Sequence, residues 1–218
     1  MTELHGLFEI HITVDTTNGY YPLWKYIHNK RDLKLIHATS ETGIHPEQYM
    51  VSKWKKNGSY DEVLEKTNYI VKDMERNGIK VIRAKIESMA LNTGVPNTAD
   101  EYDIFVSTND LVGKPYFEYH GKVDLCSNDL DQLTSWCKSM QFKYDDDVYI
   151  GLSVNICGSK IPIITIRVYK HGRQYAKRYK NIVLDNLKTQ GFKVIKNIQQ
   201  EFSVHDINDS IDKNWLIY

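Results

Sequence analysis

No charge sign dominates this chain. Its 28 Lys and Arg are matched by 28 Asp and Glu, so the whole molecule exerts no long-range pull on duplex DNA or an anionic membrane, and any polyanion site has to be local. Long apolar stretches are missing too: the clearest run, Ile161-Pro162-Ile163-Ile164, is broken by proline and falls far short of the ~20 residues needed to cross a bilayer. The amino end, Met1-Thr2-Glu3-Leu4-His5, has neither the basic start nor the apolar segment of a secretory signal. Cysteine is scarce. Cys126, Cys137 and Cys157 lie in the second half without CxxC spacing, which argues against a disulfide framework or a four-cysteine zinc site and for buried thiols. There is no Walker loop, GxGxxG, HExxH, GxSxG or Cys-His finger, so P-loop, Rossmann, zincin and α/β-hydrolase chemistry lose support. These absences lead to the expectation of a soluble, cytoplasmic protein with no membrane or duplex-DNA partner.

What the sequence does have is an internal echo. Phe8-Glu9-Ile10-His11-Ile12-Thr13-Val14-Asp15 aligns without a gap to Phe117-Glu118-Tyr119-His120-Gly121-Lys122-Val123-Asp124, and Gly78-Ile79-Lys80-Val81-Ile82-Arg83 matches Gly191-Phe192-Lys193-Val194-Ile195-Lys196. Two matches in the same order favour duplication. Hydrophobic periodicity between these anchors reads as strand, helix, strand, strand, helix, strand in each half. The first series is 7–14, 20–29, 33–39, 47–54, 59–77 and 79–87; the second is 116–124, 129–140, 148–156, 162–169, 172–190 and 192–203. Ser59 followed by Glu62 has the spacing of a capping box, and Asn77-Gly78 is a helix stop.

The order βαββαβ is that of a ferredoxin-like unit, an antiparallel sheet with both helices on one face. The expected fold is therefore α+β, with two tandem ferredoxin-like units at 1–88 and 115–203. Residues 89–114 would connect them, with an extra strand at Ile104-Phe105-Val106, and 204–218 would form a docked tail ending in Trp215-Leu216-Ile217-Tyr218.

Alternation along a strand gives the candidate site. Glu9, His11 and Thr13 share one face, opposite Phe8, Ile10, Ile12 and Val14; Glu118, His120 and Lys122 do the same in the second half. Arg83, Lys85 and Glu87, and likewise Thr165, Arg167 and Tyr169, alternate on further strands. If the helix-free faces converge, one cleft holds both imidazoles among cationic groups. That combination suits a phosphate, with Arg and Lys binding oxygens and two histidines supplying an acid and a base.

The segment from Phe8 to Val14 resembles the hydrophobic-His-hydrophobic-Thr-hydrophobic motif of the two-histidine phosphoesterase superfamily, whose two pseudo-symmetric lobes each provide one His-x-Thr/Ser. The likeness covers about eight residues in each half. It implies that His11 and His120 act as acid and base on a cyclic phosphate or phosphodiester of a nucleotide or RNA end, and that Thr13 binds phosphate. Lys122 stands where the family has Thr or Ser, as a point charge for the same oxygens. Glu9, Glu118, Arg83 and Arg167 complete the candidate substrate-binding set, and this reading calls for no metal or cofactor.

Two other readings use the same atoms. One is a non-catalytic module that binds a ligand or protein on these sheet faces. The other is a metalloenzyme in which Glu9, His11, Glu118 and His120 supply nitrogen and oxygen donors of the kind that Zn²⁺, Fe²⁺ or Mn²⁺ accept. Among the remaining features, Trp54 between Lys53, Lys55 and Lys56 reads as a core tryptophan with outward lysines. His45-Pro46 reads as a surface turn, and Asp206, Asp209 and Asp212 as helix-capping groups.

Overall fold

The computed structural model describes residues 3–17, 19–30, 32–40, 45–125, 130–141, 147–155, 161–195 and 199–212. It is an α+β protein with five α-helices and one antiparallel sheet of nine strands among the described residues. The first half runs β1 (His5–Val14), α1 (Tyr21–His28), β2 (Lys34–Thr39), β3 (Glu47–Ser59), α2 (Tyr60–Arg76) and β4 (Val81–Met89). Helix α3 (Ala99–Thr108) follows, then β5 (Tyr116–Asp124), α4 (Leu130–Gln141), β6 (Val148–Asn155), β7 (Pro162–Tyr169), α5 (Arg173–Thr189), β8 (Lys193–Val194) and β9 (Gln199–Asp206). A short 3-10 turn, Asp209–Asp212, comes last.

The strand order is β7-β6-β2-β3-β1-β4-β9-β5-β8, and β7 also pairs with β5. That extra pairing closes a ring of eight antiparallel strands, leaving β8 as a two-residue addition beside Val123 and Asp124. The halves join at two seams. One is β4 against β9, from Lys85–Asp206 to Met89–Glu201; the other is short, Ala38 and Thr39 of β2 against Asn155 and Val154 of β6.

Helix ends follow local chemistry. Ser59 accepts from the Glu62 amide while the Glu62 side chain accepts from the Ser59 amide, satisfying two donors at the start of α2. The helix stops at Asn77, and Gly78 takes φ +74, a conformation that a Cβ disfavours. Gly172 caps α5 for a different reason: a Cβ there would stand 2.3 Å from the Thr98 carbonyl oxygen, so only glycine lets the α5 start pack on the α3 start.

Alternation decides the layers. Phe8, Ile10, Ile12 and Val14 of β1 join one apolar cluster with Leu23 and Tyr26 of α1 and Val63, Ile70 and Met74 of α2; Phe117, Tyr119 and Val123 of β5 join it with Leu133 of α4 and Val183 and Leu187 of α5. The helices thus cover the outer face of the ring, and the polar residues of the same strands turn inward.

Four expectations change. Residues 104–106 are helical, because Thr98 caps α3 by accepting from the Glu101 amide, and Tyr102 and Phe105 bury one turn of its face. Strand β3 continues past 54 to Ser59 by pairing with β1 as far as His5. The strand expected at 192–203 is two, β8 and β9, and β9 runs to Asp206, so residue 204 lies inside a strand and does not start a tail. Trp54 is 41% exposed, because it sits across from Glu9 on the polar face and takes no part in the apolar cluster. The apolar end, 215–218, lies outside the described residues, as do Cys126 and Cys157. No helix among the described residues is long and apolar enough to cross a membrane.

Candidate functional site

Register places the polar side chains. On β1, Glu9, His11 and Thr13 stand opposite Glu87, Lys85 and Arg83 of β4. On β5, Glu118 and His120 lie between Arg167 and Thr165 of β7 and Glu201 and Gln199 of β9. All of these positions share one face of a closed ring, so they meet in its interior. A cavity of about 270 Å³ opens there, and Glu9, His11, Thr13, Arg83, Glu118, His120, Lys122 and Arg167 all line it. A larger surface depression beside α3 has no imidazole in its lining.

One side of the interior is an ionic floor. Arg83 donates from Nε and Nη2 to the two oxygens of Asp206, at 2.9 and 2.5 Å, and from Nη1 to Asp212 at 2.8 Å. Arg167 donates to Glu118 at 2.7 Å and to Asp212 at 2.6 Å, and stacks on the Tyr116 ring at 4.5 Å. Lys85 donates to Glu118 at 2.8 Å. Burial disfavours the Glu118 carboxylate, but Arg167 and Lys85 outweigh it and hold the group well below its ordinary pKa. Burial also opposes ionisation of Asp212, yet Arg83 and Arg167 prevail and bring it to about 2.

The histidines sit at the other side. His11 Nε2 is 3.0 Å from Glu87 Oε2 and 3.6 Å from Glu9 Oε1. Glu9 itself accepts from Ser52 and from Gln199 at 2.8 Å. His120 Nδ1 is 3.0 Å from Thr165 Oγ1, which turns Nε2 toward Glu118 at 3.7 Å and Glu201 at 3.9 Å. Its side chain is 31% exposed, wetted by the cavity although it lies deep within the ring. Burial pushes the His120 pKa down and Lys85 and His11 add to this, against Glu118 and Glu87. Burial, and then the charges of Glu87 and Glu9, push the Glu201 pKa well above the ordinary carboxylate value. Glu87, His120 and Glu201 each bring one donor atom within 4.8 Å of the others'.

The residues singled out in the sequence are therefore together, but not all are available to a ligand. Arg83 and Arg167 have their guanidinium groups committed to buried carboxylates, as Glu118 has its oxygens committed to Arg167 and Lys85. They set the charge of the floor, while Thr13, Lys122 and the two imidazoles face the cavity above it. Asp206 and Asp212, expected as caps, are ion-pair partners of Arg83, because the end of β9 and the turn after it bring the two carboxylates to its guanidinium. His45 borders the cavity rim from its turn. Sequence reasoning missed Glu201, although Gln199, Glu201 and Ser203 alternate with Gln200 and Phe202 and mark an inward row, which a register shift ends before His205.

No family model matches the chain, and no curated protein matches it.

Proposed function

We propose that the protein is a phosphoesterase acting on a cyclic phosphate or phosphodiester at a nucleotide or RNA end, with His11 and His120 transferring protons. The observation that carries this reading is the meeting of the two imidazoles around Glu87 in a cavity that Thr13 and Lys122 also line. At about 270 Å³ the cavity is near the lower limit of the roughly 300–1,000 Å³ usual for ligand sites, which fits one nucleotide end and not a duplex.

The hydrogen bonds divide the roles. With Nδ1–H donating to Thr165, His120 Nε2 carries the lone pair and takes the proton of an attacking water. His11, held by Glu87 at 3.0 Å from its Nε2, acts as the imidazolium, giving one proton to the departing ribose oxygen and keeping the other. The water oxygen bonds to phosphorus as the P–O bond to the ribose breaks, leaving a phosphate monoester and a ribose hydroxyl. Thr13 and Lys122 hold the non-bridging oxygens, and Glu9, Glu118, Arg83 and Arg167 keep the floor charged and rigid. These steps need no metal.

We also read the chain as two tandem ferredoxin-like units arising by duplication. Each half runs βαββαβ apart from the small β8, and the sheet orders β2-β3-β1-β4 and β6-β7-β5-β9 are equivalent. Duplication explains why one Glu-x-His row occurs twice on one inner surface.

The test is turnover of 2′,3′-cyclic nucleotides, followed by phosphorus NMR. The wild type should release monophosphate, and His11→Ala and His120→Ala should each abolish release with the near-UV circular dichroism unchanged. A wild type that binds these nucleotides without turning them over would make the protein a binding module, and full activity in either variant would remove the acid–base assignment.

A further inference from the structure

We infer that Glu87, His120 and Glu201 form a site for one divalent transition-metal ion, with His11 as a fourth donor. The three residues come from β4, β5 and β9, neighbours across the seam that joins the halves, and their donor atoms lie within 4.8 Å of one another. Metal bonds of ~2.0–2.2 Å set adjacent ligand atoms roughly 3–3.5 Å apart, so small side-chain rotations close the group around an ion. The contact from His11 Nε2 to Glu87 Oε2 already has that spacing, at 3.0 Å.

A second observation is independent of the clustering. Glu201 is 1% exposed, and its Oε2 has no hydrogen-bond partner while standing 3.9 Å from His120 Nε2. Its other oxygen accepts from Gln199 at 2.5 Å, so the orphaned oxygen is the one aimed into the group. A buried acceptor without a donor is costly, and a cation removes that cost. His120 has the outer support typical of a ligand: Thr165 fixes Nδ1 at 3.0 Å and leaves Nε2 pointing inward.

Charge agrees. Four carboxylates, Glu9, Glu87, Glu118 and Glu201, surround the imidazoles, and among the described residues only Lys85 and Arg167 form cationic pairs with them. Lys85 holds Glu87 through Oε1 at 2.8 Å, leaving Oε2 on the His11 side. Mixed imidazole and carboxylate donors suit Zn²⁺, Mn²⁺ or Fe²⁺ better than Ca²⁺ or Mg²⁺, which prefer oxygen alone. The donor set differs from the repeated Glu-x-His pairs of the sequence, since Glu9 is bonded to Ser52 and Gln199 and Glu118 to Arg167 and Lys85. This inference does not rest on the phosphoesterase reading. An ion and a substrate proton would claim the same His120 nitrogen, so the loaded protein and the acid–base reaction exclude each other.

The test is titration of the chelator-treated full chain with ZnCl₂ by calorimetry, with MgCl₂ as the contrast. One Zn²⁺ per chain is expected. His120→Ala and Glu201→Gln should each weaken binding by more than about tenfold, and Thr165→Val by about tenfold, with circular dichroism confirming the fold. His37→Ala, which removes the surface imidazole beside Glu47, should leave the affinity unchanged. A measurement that needs no variant to fold is the visible spectrum of the wild type with Co²⁺, which should show the bands of nitrogen-ligated cobalt. Absence of Zn²⁺ uptake and of the cobalt bands, or wild-type affinity in both ligand variants, would overturn the inference.

Discussion

Arg83 on β4 and Asp212 in the turn after β9 meet at 2.8 Å across 129 positions of sequence. Asp212 also receives Arg167 from β7 at 2.6 Å, so one carboxylate ties together a strand from each half and the end of the described chain. The pairing shows what holds the polar interior. Its cations and anions neutralise one another beneath the cavity, and the strands bearing them are fixed relative to the histidines.

Asp212→Ala removes one acceptor and leaves two guanidinium groups short of charge in the interior. A loss of about 3–5 kcal/mol is expected, the size typical when one partner of a buried pair is deleted. Urea unfolding followed by fluorescence measures it. Lys80→Ala breaks an exposed pair with Asp15 and should leave the midpoint nearly unchanged.

Acid should unfold the protein through the same carboxylate. The folded-state pKa of Asp212, about 2, lies below its ordinary value of 3.8. Its contribution to stability is thus fully present above pH 3.8 and disappears as the pH falls toward 2. Asp206, also lowered by Arg83 despite burial, adds in the same direction. Thermal midpoints between pH 5 and pH 2 should fall steeply in the wild type and less steeply in Asp212→Asn.

Lys122 offers a point charge at the cavity without a carboxylate in ion-pair contact among the described residues. In the proposed reaction, Lys122→Ala should raise KM for a 2′,3′-cyclic nucleotide by about tenfold, the value of one charged hydrogen bond to phosphate, and leave the folding midpoint within experimental scatter. Steady-state kinetics with parallel urea melts separate the two effects. An unchanged KM would remove Lys122 from the phosphate site.

Ser59→Ala opens the capping box of α2. A loss of about 1 kcal/mol is expected, because the Glu62 amide loses its acceptor at the helix start. Chemical denaturation gives the value, and Ser59→Asp should restore most of it.

Cys137 lies buried on α4, and burial pushes its thiol up to about 12. Little thiolate exists at neutral pH, so iodoacetamide should leave Cys137 unmodified in the folded protein and alkylate it in urea. Peptide mass spectrometry reads this at Cys137 alone.

The sequence by itself determined the local faces. Alternation at Glu9, His11 and Thr13 and at Glu118, His120 and Lys122 assigned each strand a polar and an apolar side, since a strand repeats every two residues whatever it pairs with. The Ser59–Glu62 box and the Asn77-Gly78 stop bounded α2 in the same way, through bonds between near neighbours. Only the tertiary structure decided that the polar sides form one enclosed interior. That follows from β4 pairing with β9, β2 with β6 and β5 with β7, contacts between distant segments that no local period encodes. Closure then chose among the polar residues. It set Arg83 and Arg167 against Asp206, Asp212 and Glu118, and brought Glu87 and Glu201 to His120, because inside a ring each charge must find its partner among whatever side chains the register delivers.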